Sequence, residues 1–384
     1  MDSSEFNNPP NRIGTSSLKW SKYEGSDIIP LWVADMDFKS HQSVMEQAEL
    51  CSKHGNFGYG LPPPGLVELI VSRSSEMYDW NIDAEWIVWL PGMVCALNVT
   101  CRTFVGEASQ AIIQTPIYPP FLTASRNFDI PLTKVPLTLE GNRFTIDFEA
   151  LARLKTFPGD LFMLCHPHNP VGTSFSRPEL QSLTDWLIKN DLNLCSDEIH
   201  CDLILSDDLK HIPPASINDE VADRTITLMS PSKTYNIAGF GCSFAIIRNS
   251  KLRTRFKRAM RGIVPDPPAM GFLLADAAYR SGEDWRLRMI DYIKRNRGIA
   301  MHELSQMIGL TPYSPESTYL LWIDARNLRT SNPQKFFEEN GVGLSDGADF
   351  DAPGFLRLNL GCSRDLLSKA LSRMSKACAD LHSE

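Results

Sequence analysis

Residues 226–240 read ITLMSPSKTYNIAGF. The opening run lacks polar alternation, the pattern of a strand covered on both faces in a parallel sheet. Lys233 stands just past it. Lysine is seldom buried without a partner, so this amine either faces solvent or has chemical work at a strand end. Similar runs occupy Ala111–Thr115, Leu161–Cys165, 192–196 and 241–247. Helical patterns lie between them. The clearest opens at Ser176-Arg177-Pro178-Glu179, a capping box with proline in the first turn. Leu180, Leu183, Trp186 and Leu187 then recur at helical spacing. Strands alternating with helices predict an α/β fold with a mostly parallel sheet. Ligands of such sheets gather at the carboxyl ends of the strands.

The last third changes character. Residues 284–308 read as helix, 317–324 and 354–361 as strands, and 366–381 as a closing helix. This predicts a large domain over 45–274 and a smaller α+β domain over 275–384, with segment 1–44 packing against the small one. A length of 384 residues suits two domains. The net charge of −8 argues against a general nucleic-acid binder. Nine cysteines without a Cys-x-x-Cys pair argue against zinc-ribbon or thioredoxin-like chemistry, and no metal site is expected. Thiols inside apolar runs suit a reducing compartment. With no apolar leader and no long apolar run, the expected location is cytoplasmic, with no membrane partner.

Reading the strand ends in order collects a specific set of groups. Gly92, Met93 and Val94 open an apolar helix. Tyr118 follows 111–115, and Asn169 follows 161–165. Asp197 and His200 close 192–196, and Lys233 follows 226–230. These groups suit pyridoxal phosphate. Its aldehyde needs a lysine for a Schiff base, and its pyridine nitrogen needs a carboxylate that keeps it protonated. Its phosphate needs a helix N-terminus with hydroxyls.

The stretches PIYPPF (116–121), HPHNPVGTSFSRPEL (166–180), SDEIHCDLI (196–204), SPSKTYNIAGF (230–240) and LRLNLGCSR (356–364) together resemble fold-type I pyridoxal-phosphate enzymes. LWVADMDF (31–38) and FGYGLPPP (57–64) are similar to the MalY/PatB-like cystathionine β-lyase or cysteine C–S lyase subgroup of the aminotransferase class I/II superfamily. The resemblance implies an aspartate-aminotransferase-like fold with Lys233 as Schiff-base lysine and Asp197 on the pyridine nitrogen. Asn169 and His200 would hold the ring oxygen, and Tyr118 would stack on the ring. Gly92, Met93, Val94, Ser230 and Ser232 would hold the phosphate. Tyr59 would reach the phosphate of a second subunit, which implies a homodimer with composite sites. Arg357 would clamp the carboxylate of an amino-acid substrate.

The resemblance implies α,β-elimination of cystathionine or another cysteine S-conjugate to thiol, pyruvate and ammonia. The alternative is an aminotransferase of a small amino acid or specialised metabolite. Gly241 stands where many aminotransferases of this fold carry arginine, which favours the lyase. His166 stands where the subgroup usually has asparagine. Trp32, Phe38 and Phe121 either shape the substrate pocket or simply pack.

Overall fold

The computed structural model describes residues 4–383. Its centre is a seven-stranded sheet built from β1 (Ile87–Leu90), β2 (Ala111–Thr115), β3 (Leu132–Pro136), β4 (Leu161–Cys165), β5 (Asn193–Asp197), β6 (Thr225–Met229) and β7 (Ser243–Ile246). The spatial order is β1-β7-β6-β5-β4-β2-β3. β2 to β6 pair in parallel, whereas β7 runs antiparallel to both its neighbours. Strands expected at 192–196 and 226–230 fall one residue away in each case. β1 and β3 belong to no run singled out in the sequence.

The absence of alternation has its cause in two packed faces. Ile113, Met163 and Ile226 pack with Leu97 of the helix Met93–Thr103 on one side. Ile112, Phe162 and Leu164 pack with Leu180, Leu183 and Leu187 of the helix Arg177–Lys189 on the other. The predicted capping box is present: Ser176 N donates to the Glu179 carboxylate at 2.7 Å.

A second sheet has four strands, β8 (Thr311–Tyr313), β9 (Leu320–Asp324), β10 (Ser345–Asp346) and β11 (Phe355–Asn359), in the order β8-β9-β11-β10. The helices Glu283–Ser305 and Arg364–Ser383 accompany it. Ile29–Pro30 pairs in parallel with Val342–Gly343 as a separate two-stranded sheet, and the Asn359 amide of β11 donates to the Leu31 carbonyl at 2.9 Å, so the N-terminal segment lies beside the four-stranded sheet. Among the described residues no helix is long and apolar enough to cross a membrane.

Candidate active site

Register aligns the strand ends. Cys165 pairs with Asp197 and Asp197 with Leu228, so the chain leaves β4, β5 and β6 at one edge. A cavity of about 230 Å³ opens there. Gly92, Met93, Val94, Tyr118, Asn169, Asp197, His200, Ser232, Lys233 and Arg357 all line it. The first nine lie at or just past the strand ends of the large sheet, with Met93 and Val94 opening the helix Met93–Thr103, and Arg357 comes from β11. Val33, Ala34, Cys242 and Ser243 also line the wall, and no role was assigned to them from the sequence. The signal for Ala34 was weak because it lies on an irregular segment, and a backbone carbonyl carries no residue signature.

Lys233 is half-buried, and its Nζ donates to the carbonyl of Ala34 at 2.7 Å. Burial, reinforced by nearby Arg357, lowers its amine to about 8. Asp197 accepts from the amide of Ile199 at 3.1 Å. Burial pushes its carboxyl up to about 7. A cation placed against it would be strongly favoured. His200 is held neutral, burial lowering it to about 3, and its Nδ1 has no protein partner.

Arg357 donates from Nη1 to Asn169 Oδ1 at 2.9 Å. That bond uses the amide oxygen and leaves the Asn169 NH₂ as the donor group. The backbone of Tyr118 is tied to the same residue, its amide donating to the Asn169 carbonyl at 3.0 Å. The helix Met93–Thr103 has Gly92 as N-cap with no capping side chain, so its first amides face the cavity as donors. A Cβ on Gly92 would meet no protein atom within 4 Å and would occupy cavity space.

Not every residue singled out in the sequence meets this cavity. Ser230 is not in the cavity wall: its Oγ donates to the carbonyl of Cys242 at 2.6 Å and accepts from the amide of Ser232 at 3.2 Å. Both bonds tie it into the turn that carries Ser232 and Lys233. Phe38 packs against Phe6 and Tyr292 in the core, and Phe121 is likewise buried in the core. Trp32 does line a second cavity of about 500 Å³ that shares Val33, Tyr118 and Arg357 with the first. Tyr59 is fully exposed, on an apolar groove separate from the cavity. His166 points away from the site, its Nε2 donating to the Ile212 carbonyl at 3.2 Å and its ring stacked on His211 at 4.7 Å. Cys165, Cys195 and Cys201 are buried thiols with no disulfide.

A half-buried amine, a buried carboxylate, a donor amide, an aromatic ring and an uncapped helix start, gathered at the carboxyl ends of a mostly parallel sheet, are the groups that pyridoxal 5'-phosphate takes. The residues present fit that cofactor in donor set, and Gly92 leaves room for it. The chain belongs to the aminotransferase class I and II family, which it matches over residues 26–374. It is 33% identical to cystathionine β-lyase PatB of Bacillus subtilis, over 97% of this chain and 99% of that one. The solved structure of OvoB is 41% identical with a TM-score of 0.93, covering 97% of this chain and 98% of that one. Cystalysin from Treponema denticola, whose structure contains pyridoxal 5'-phosphate, is 31% identical with a TM-score of 0.92, covering 98% and 99% of the two chains.

Proposed function

We propose that this chain is a pyridoxal-phosphate-dependent C–S lyase that eliminates a thiol from the β-carbon of cystathionine or another cysteine S-conjugate. The observation that carries the reading is the meeting of Lys233, Asp197, Asn169 and Arg357 in one cavity. When bound, the cofactor supplies a ring that stabilises negative charge at the substrate α-carbon. The chain's own residues supply the rest. Asp197 keeps the pyridine nitrogen protonated. Asn169 donates its NH₂ to the ring oxygen, beside His200. Tyr118 covers the ring. Gly92, Met93, Val94 and Ser232 hold the phosphate. Arg357 receives the substrate carboxylate and orients the α-carbon. Lys233, desolvated and near neutrality, takes the α-proton. The β C–S bond then breaks with its electron pair on sulfur, giving a thiolate, and water converts the remaining carbon skeleton to pyruvate and ammonia.

The second cavity suits the sulfur-linked part of the substrate. It opens beyond Arg357 and Tyr118 and is bordered by Lys22, Trp32, Asp346 and Asp349. An aminotransferase shares every step to proton removal. One feature favours the lyase. Gly241 lies in the wall with φ +58, and a Cβ there would stand 2.7 Å from the Pro91 carbonyl. No arginine can occupy this position without moving the loop that carries Gly92.

The proposal extends to assembly and compartment. Phe57 and Leu61, two residues either side of Tyr59, are exposed, and Phe57 and Tyr59 line the apolar groove with Phe240. A second copy of the chain covers such a surface and brings Tyr59 to the partner's phosphate. Buried free thiols suit the cytoplasm. The test is a panel of cystathionine, cystine and bulkier S-conjugates assayed for thiol, pyruvate and ammonia against keto acid with aminated cofactor. A keto acid that keeps its sulfur substituent, formed with aminated cofactor and without free thiol or ammonia, would replace the lyase reading with the aminotransferase one. Sedimentation giving an active monomer would remove the dimer.

A further inference from the structure

Residues 31–38 cross the site without regular secondary structure. Backbone groups in such a segment still need partners, and here side chains from distant elements supply them. The carbonyl of Trp32 accepts from Arg357 Nη2 at 3.0 Å and Ser345 Oγ at 2.6 Å. The carbonyls of Val33 and Asp35 both accept from Asn359 Nδ2, each at 2.7 Å. The carbonyl of Met36 accepts from Asn236 Nδ2 at 2.9 Å, and that of Phe38 from the same nitrogen at 2.8 Å. Asn236 Oδ1 in turn accepts from the Met36 amide at 3.1 Å.

The two asparagines therefore bracket Ala34. Asn359 holds the residues on either side of it, and Asn236 holds the chain just beyond. Each comes from a site-bearing segment: Asn236 lies three residues past Lys233, and Asn359 two past Arg357. Asn236 has φ +56, a conformation that asparagine tolerates better than most residues. The held carbonyl, Ala34, accepts from Lys233 Nζ at 2.7 Å and from the Tyr319 hydroxyl at 3.1 Å.

We propose that Asn236 and Asn359 are positioning residues that fix the Ala34 carbonyl as the docking point of the free Lys233 amine. This rests on Lys233 being the base of the proposed reaction. A neutral amine has N–H bonds to donate and one lone pair. Giving an N–H to a fixed carbonyl turns the lone pair in a defined direction, toward the substrate α-carbon. The lone pair then forms the new N–H bond to the α-proton, and the C–H electron pair stays on the substrate. Because Asn359 and Arg357 share β11, the same clamp ties the proton-moving amine to the guanidinium that orients the substrate.

The test uses holoenzyme carrying Asn236→Asp, which keeps the acceptor for the Met36 amide and loses both donated bonds. Asn236→Ala serves as the second variant. The reaction followed is exchange of the α-proton of L-alanine for solvent deuterium, read by NMR and normalised to bound cofactor. Alanine has no β leaving group, so the assay reads proton removal alone. Misplacing a reacting group by an ångström costs on the order of 100-fold. The expected result is a fall of at least about 10-fold in the exchange kcat, with KM for alanine and cofactor content held near the parent's. Exchange per bound cofactor within about twofold of the parent, whatever the change in Tm, overturns the proposal and leaves Asn236 a packing residue. A parent that exchanges alanine yet releases no thiol from any conjugate would refute the lyase reading and leave this inference standing.

Discussion

Arg357 Nη1 and Asn169 Oδ1 lie 2.9 Å apart, joining the small sheet to a loop of the large one. The bond orients two functional groups at once. It turns the Asn169 NH₂ away from the arginine, and it holds the guanidinium before any carboxylate arrives. Arg357→Ala removes the charge-assisted fork proposed to receive the substrate carboxylate. A loss of about 3 kcal/mol, roughly 100-fold in kcat/KM, is expected mainly through KM. Cofactor absorbance should persist, since Arg357 is not among the groups assigned to the cofactor. Steady-state kinetics with a spectral titration checks both.

Lys233 sets a pH dependence. Burial and nearby Arg357 lower its amine to about 8, and only the neutral amine attacks an aldehyde. Below that pH the amine is protonated and cofactor capture is slow. The rate should rise through pH 8 and then level, rather than climbing toward the ordinary lysine range. Arg357→Gln removes a neighbouring positive charge and should move the midpoint upward. Stopped-flow absorbance on apoprotein mixed with pyridoxal phosphate measures it, and a rise confined to pH above 10 contradicts the assignment. Lys233→Ala should lose both the lysine-linked absorbance and activity.

Gly241 offers a steric test. Its φ of +58 and the 2.7 Å approach of a Cβ to the Pro91 carbonyl make any side chain costly. The left-handed conformation alone costs about 1–2 kcal/mol for a non-glycine residue. Relief of the contact must move the Pro91–Gly92 turn. Gly241→Ala should therefore weaken pyridoxal-phosphate affinity as well as lower Tm. Fluorescence titration of the cofactor, unchanged from the parent, would count against Gly92 as part of the phosphate cradle.

Stability in acid should depend on Glu179. Burial pushes its carboxyl up, but bonds from Arg143, Ser176 and Thr145 together pull it down to about 2. A carboxylate with a depressed folded pKa stabilises the fold above its unfolded value near 4.5, and the benefit is lost as pH falls toward 2. Glu179→Ala should cost on the order of 2 kcal/mol at neutral pH, and the difference from the parent should shrink between about pH 5 and 2. Urea denaturation across that range reads the convergence.

Much of this site could be read from the chain itself. The runs 111–115 and 161–165 are strands because their side chains alternate between two apolar layers, and such burial leaves a local signature. Lys233, Asp197 and Asn169 were legible for a related reason: each directly follows a buried strand, and the parallel topology carries strand ends to one edge. The sequence could not show how the hydroxyl of Ser230 is used, because its partner is the carbonyl of Cys242, just before the antiparallel strand β7. Nor could it show the Ala34 carbonyl under Lys233, a contact spanning 199 residues. Side-chain type and periodicity are written residue by residue and survive in the unfolded chain. A backbone carbonyl looks the same at every position, and only the packing of segment 31–38 between Asn236 and Asn359 makes this one part of the site.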